Sequence, residues 1–182
     1  MKGIVLNLLE ETIRRHHSEA AWEAVLDAAH LDGAYTSLGN YSDDEFHALV
    51  AAASHITGQE QEAFVRWFGE HAIEPLAHRY PKLFVQPSTR AFLLTLNSMI
   101  HPEVRKLYPG SDVPHFDYLP SAANAIVMRY VSKRRLCGFA EGLIAGAARH
   151  FRERASIAQQ ECVLRGDDAC LFVVTFAEEP HG

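Results

Sequence analysis

Apolar positions recur at three- and four-residue spacing through the N-terminal part of the chain and then change to a two-residue period. Ile4, Val5, Leu8, Leu9, Thr12 and Ile13 fit one face of an opening helix. Ser18 is placed to cap a second helix running to about Leu31, with Gly33 just past its end. After the loop YTSLGNY, the stretch SDDE (Ser42 to Glu45) forms a capping box, in which hydroxyl and carboxylate satisfy orphan backbone donors. Its helix is predicted to run to about Thr57, before Gly58. A long helix follows from about Gln61 to Arg79, and Pro75 inside it lacks a backbone donor, so a kink is expected there. A further helix is predicted from Ser88 to about His101, apolar at Phe92, Leu93, Leu96 and Ile100. Pro102 disturbs or restarts it, and Tyr108-Pro109-Gly110 stops it.

Beyond Gly110 the alternation becomes strand-like. HFDYL and NAIVMRYVS read as short strands joined through a turn at Pro120. LCGFAEGLIAGAARHFRER returns to helix, with Leu136, Phe139, Leu143, Ile144 and Ala147 along one stripe. SIAQQECVL and ACLFVVTF flank RGDDA as a hairpin. The predicted class is α+β: a helical N-terminal part, then a small antiparallel sheet of about four strands with one helix across it. The 182 residues carry no repeat or linker and suit a single domain, residues 1–182.

Composition narrows the field. Hydrophobic residues at 48 % mark an ordinary globular chain. A net charge of -6 with scattered basic residues argues against a nucleic-acid partner. No stretch approaches the roughly 20 apolar residues that span a bilayer. The start has no small-residue cleavage site, and the odd number of cysteines, 3, fits a reducing compartment, so a cytoplasmic protein is expected.

Four features can carry chemistry. If RYVSK continues the strand, Tyr130, Ser132 and Arg134 share a face with Ile126 and Met128. Polar groups on such a face need an anion, or else the strand end reaches solvent. His101, at the margin of an apolar stripe and before a proline, can act as a neutral metal ligand or be one of several satisfied histidines. Cys137, Cys162 and Cys170 either supply three sulfurs of a tetrahedral zinc site or are small buried hydrophobes. Gly138, Gly142 and Gly146 let a strand, a helix or a flat ligand approach one side of their helix. No phosphate-cradling glycine loop, HExxH, CxxC or GxSxG is present, and no enzyme class gains support.

Together, MKGIV, the histidine of MIHPEVRKLYPG, Pro114 in DVPHF and Tyr-x-Ser-x-Arg in YVSKR resemble the haem nitric oxide/oxygen binding (H-NOX) family across the whole chain. The resemblance implies haem b between a helical distal subdomain (about residues 1–60) and a proximal part (about 61–182). His101 then matches the iron ligand, Tyr130, Ser132 and Arg134 the haem-propionate ligands, and Pro114 the proline that distorts the macrocycle. Ile4, Leu8, Ala72, Phe139 and Leu143 correspond to pocket positions. Oxygen-binding members carry tyrosine where this chain has Phe139, tryptophan at Leu8 and asparagine at Ala72.

An apolar pocket throughout is therefore expected. The implied function is a non-enzymatic sensor that binds NO and CO at five-coordinate ferrous haem and excludes O₂. Its signal would be rupture of the iron–His101 bond and movement of the His101 helix. Stand-alone members regulate a histidine kinase or a cyclic-di-GMP enzyme, so a separate partner is expected. Some members hold zinc at the three cysteine positions plus a histidine, which here is Gln159, leaving zinc open. The alternatives are a thiol or zinc redox sensor using the cysteines, and a haem peroxidase, which the lack of an acid–base residue near Phe139 disfavours.

Overall fold

The computed structural model describes residues 1–177, and its elements follow the change in apolar period. The helices are α1 (Gly3–His16), α2 (Glu19–Ala29), α3 (Asp43–Thr57), α4 (Gln61–Arg79), α5 (Thr89–Leu94), α6 (His101–Leu107) and α7 (Cys137–His150). The strands are β1 (His115–Leu119), β2 (Ala125–Val131), β3 (Ala155–Glu161) and β4 (Cys170–Phe176). Three helices start at serines whose side chains accept a backbone N–H: Ser18 from Ala21, Ser42 from Glu45 and Ser88 from Ala91. Ser42 and Glu45 form the reciprocal box, and a cap of this kind is worth about 1 kcal/mol.

Two helix boundaries differ from the sequence reading. The second helix stops at Ala29, because His30 adopts the left-handed conformation (φ 56°) and sends its N–H back to Leu26 and Asp27. The helix expected from Ser88 to His101 is broken. After α5, Leu96–Ile100 forms a π-turn in which the Ile100 N–H reaches Thr95 O (3.1 Å) and the His101 N–H reaches Leu96 O. α6 then restarts with Pro102 in its first turn, where a missing N–H leaves nothing unsatisfied.

The sheet is antiparallel with strand order β1-β2-β4-β3, and α7 connects β2 to β3. Two apolar cores result. Leu9, Ile13, Trp22, Phe46, Leu49, Phe64 and Phe68 fill the space between α1 and α4. Leu93, Ile126, Met128, Ile144, Phe172 and Val174 fill the space between the sheet and α5 and α7. Fully burying one such side chain contributes about 1.5–3 kcal/mol.

The α4–α7 contact joins the two cores. An added Cβ on Gly142 would overlap the Arg66 carbonyl, one on Gly146 the Glu70 carbonyl, and one on Gly69 the Phe139 carbonyl. The glycine spacing on α7 therefore serves helix packing and not a flat ligand. Gly138 faces α4 more loosely, where an added Cβ would meet the Glu62 carbonyl at 3.6 Å, an ordinary contact.

Candidate functional site

Where the two cores meet, a cavity of about 290 Å³ opens between the helical part and the sheet part. α1 contributes Ile4 and Leu8, α4 contributes Ile73 and Leu76, and α7 contributes Phe139 and Leu143. The opposite wall holds His101, Val104 and the segment from Ser111 to Pro114, and one end holds Tyr130, Ser132 and Arg134. The cavity thus gathers every predicted pocket residue except Ala72, which is fully buried but not on its wall.

His101 is aimed by the elements that flank it. Within the π-turn, the Asn97 side chain donates to Phe116 O (2.5 Å) and accepts the Phe116 N–H (3.2 Å), pinning the turn to β1. The His101 ring stacks against Phe116 at 6.0 Å and 28°. Its Nδ1 is buried without a hydrogen-bond partner. Burial, then Arg105 and His115, push its pKa down to about 4, against the Pro114 carbonyl beside the ring. The imidazole is therefore neutral near pH 7, with a lone pair free for a metal.

At the other end, the strand reading needs correction. Tyr130 is the last inward-facing residue of β2, following Ile126 and Met128, all three buried. The strand ends at Val131, opposite the first residue of β1, so Ser132 and Arg134 lie in a turn and not on the strand face. Ser132 Oγ accepts the Arg134 N–H (3.3 Å), and Arg135 turns the chain with φ 55°. Burial pushes the Tyr130 hydroxyl up to about 12, with Ser132 acting the other way.

Arg134 also has a protein partner that the sequence did not announce. Its Nε lies 3.1 and 3.0 Å from the two Asp43 oxygens at the start of α3, and its Nη1 donates to Asp112 O (2.7 Å). The Met1 ammonium shares Asp43 Oδ1 at 2.8 Å. Burial alone would raise the Asp43 pKa, but the Met1 ammonium and Arg134 outweigh it and hold the carboxyl below its ordinary value.

The cavity is not apolar throughout, as expected from Leu8, Ala72 and Phe139. Tyr80 and Tyr108 lie on its wall with their hydroxyls hydrogen-bonded to each other. Burial, followed by that bond, raises the Tyr108 pKa. Phe139 stacks on Phe68 at 4.9 Å and offers no donor. Neither tyrosine belongs to a periodic stripe, and the hydroxyl pairing depends on the fold alone.

The cysteines lie behind this site. Their three sulfurs are within 4.8 Å of one another, all are buried, and Cys137 and Cys162 are 3.5 Å apart. Cys170 sits directly opposite Tyr130 in the β2–β4 ladder, so cavity and sulfur cluster share a strand pair. Burial and Cys162 raise Cys137 to about 12, while the Gln159 amide opposes them. At Cys162, burial is outweighed by the Leu164 N–H, the other two thiols and the Arg165 N–H, so its pKa is lowered. Three soft donors this close together suit a metal ion.

An apolar cleft with a neutral histidine on one wall and a hydroxyl–guanidinium cradle at one end suits a flat, carboxylate-bearing prosthetic group that carries a metal. The class is a domain built to enclose such a prosthetic group. The profile of the family described as Haem-NO-binding matches residues 2–159, and the chain belongs to that H-NOX family.

Solved structures agree over essentially the full length. An H-NOX protein from S. oneidensis in the Fe(II)NO ligation state is 30 % identical with a TM-score of 0.90, covering 98 % of this chain and 100 % of that one. The same organism's H-NOX domain in the Fe(II)CO state is 30 % identical with a TM-score of 0.87, covering 98 % and 100 %. Unliganded Fe(II) H-NOX from K. algicida is 25 % identical with a TM-score of 0.88, covering 100 % of both chains. No curated protein matches the chain in sequence. Membership makes the chain a haem-based gas-sensor domain. Among the described residues no helix is long and apolar enough to cross a membrane.

Proposed function

We propose that this domain senses NO, binding it and CO at ferrous haem b while forming no stable complex with O₂. The observation that carries this reading is the neutral His101, with its Nδ1 unpartnered, in the same cavity as the donor-free Phe139. Bound O₂ gathers negative charge and is retained by a hydrogen-bond donor, whereas NO binds ferrous iron without one. One hydroxyl proton of the Tyr80–Tyr108 pair is spent on their mutual hydrogen bond, and in this reading the other stands away from the gas. Relatives in Fe(II)NO and Fe(II)CO states support the two ligands.

When bound, the haem supplies the iron that takes the gas. His101 holds that iron from the first turn of α6, Pro114 bears on the ring plane, and Tyr130, Ser132 and Arg134 anchor the carboxylates. Ile4, Leu8, Phe139 and Leu143 keep the gas side apolar, with Ala72 packing behind them. Binding of NO would loosen the hold of His101, and α6 would move with the released side chain. A histidine kinase or a cyclic-di-GMP enzyme in the cytoplasm reads that movement.

Absorption spectra of the ferrous protein test this: NO and CO shift the main haem band, and air leaves it unchanged. A stable oxygenated spectrum would overturn it. His101→Gly is expected to lose haem unless imidazole is supplied.

A second reading rests on the sulfur cluster, whose spacing suits zinc or a thiol–disulfide redox sensor. Metal analysis and thiol counting, with and without oxidant, decide it. Three titratable thiols and no zinc under both conditions would remove it.

A further inference from the structure

We propose that Lys2 and Ser111 complete the seat for the haem carboxylates, beyond Tyr130, Ser132 and Arg134. The inference rests on haem occupying the cavity, as proposed above. Lys2 lies on the cavity wall and is only 8 % exposed. Its ammonium makes one hydrogen bond, to Leu38 O at 3.3 Å, and among the described residues it has no ion-pair partner. A buried cation in that position calls for an anion. Ser111 Oγ, on the same wall, is also buried and makes no hydrogen bond.

Both groups neighbour, along the chain, residues that touch Arg134 or its partner. Lys2 follows Met1, which shares Asp43 with Arg134, and Ser111 precedes Asp112, whose carbonyl Arg134 holds. Charge balance points the same way. Met1, Arg134 and Asp43 together carry a single net positive charge, and a haem with two carboxylates would leave one negative charge over. In the proposal the Lys2 ammonium neutralises it and the Ser111 hydroxyl donates to a carboxylate oxygen, while Arg134, engaged at Nε and Nη1, keeps Nη2 for the carboxylates.

The test loads wild type, Lys2→Met, Lys2→Arg and Ser111→Ala with haem, and separately with haem dimethyl ester, which lacks the carboxylate charge. Transfer to excess apomyoglobin gives each release rate. Lys2→Met is expected to release haem about tenfold faster than wild type, and the ester at the wild-type rate. Ser111→Ala shows a smaller effect of the same kind, and Lys2→Arg stays near wild type. Haem-free Lys2→Met melts no lower than haem-free wild type, because an unpaired buried charge has been removed. Equal loss of haem and ester, unchanged haem release, or a lower melting point without haem would overturn the inference and leave the haem reading intact. Failure of wild type to take up either compound would overturn the haem reading itself.

Discussion

Alanine at Gly142 and at Gly138 is the same substitution on the same helix, yet the two are expected to change stability in opposite directions. In a helix interior, glycine to alanine ordinarily gains up to about 1 kcal/mol from helix propensity. At Gly142 the new methyl would overlap the Arg66 carbonyl and come within 2.8 Å of the Glu70 nitrogen, both of them helix backbone. Backbone cannot rotate aside, so α4 and α7 must separate, at the upper end of the about 1–3 kcal/mol typical of overpacking. The net loss is about 2 kcal/mol, a melting-point drop of roughly 4–8 °C for a chain of this size. At Gly138 the methyl meets the Glu62 carbonyl at 3.6 Å, an ordinary contact. There a gain of up to about 0.5 kcal/mol is expected, reduced because Gly138 lies in the first turn of α7. Thermal unfolding followed by far-UV circular dichroism at equal haem loading measures both. Shifts of the same sign and size would refute the packing account of the glycine spacing.

Two further outcomes follow from the charged groups. His101 is held neutral down to about pH 4, while in the unfolded chain it takes up a proton near the ordinary histidine value of 6.5. The unfolded state thus binds more protons in that window, so haem-free protein should lose stability as pH falls from about 6.5 to about 4, by at most about 3 kcal/mol. His101→Gln should flatten that slope in denaturant titrations, and an unchanged slope would disprove the assignment. Asp43→Asn removes the anion shared by Met1 and Arg134, a partly exposed pair with side chains 43 % and 23 % exposed. A loss of about 1 kcal/mol is expected, shrinking at high salt. Melting curves that differ from wild type equally at low and high salt would contradict the ion-pair account.

Helices with capping serines were legible because a cap is a local device: Ser18, Ser42 and Ser88 act within three residues of themselves. Strand positions were legible because Ile126, Met128 and Tyr130 alternate against a buried helix. Arg134 was recognisable through its place in Tyr-x-Ser-x-Arg, but its attachment to Asp43 was not, since 91 residues separate them. The Tyr80–Tyr108 contact was hidden for the same reason, and the cavity wall came out more polar than the substitutions at Leu8, Ala72 and Phe139 suggested. His101 looked marginal because a period of 3.6 residues sets it about 80° from Leu93 on a continuous α-helix. The extra residue in the π-turn brings it to about 20°, onto the face that Leu93 occupies.

That turn is in effect a spacer, and spacers are vulnerable to length before they are vulnerable to composition. Replacing Ser98 or Met99 by another residue leaves the count from α5 to α6 unchanged. Removing either one would let α5 and α6 fuse in continuous register with the imidazole still about 20° from Leu93, whereas closing the turn with every residue kept would swing it by about 100°, out of line with the cavity. In the lineage of such a chain, one codon inserted here would be more disabling than one codon lost.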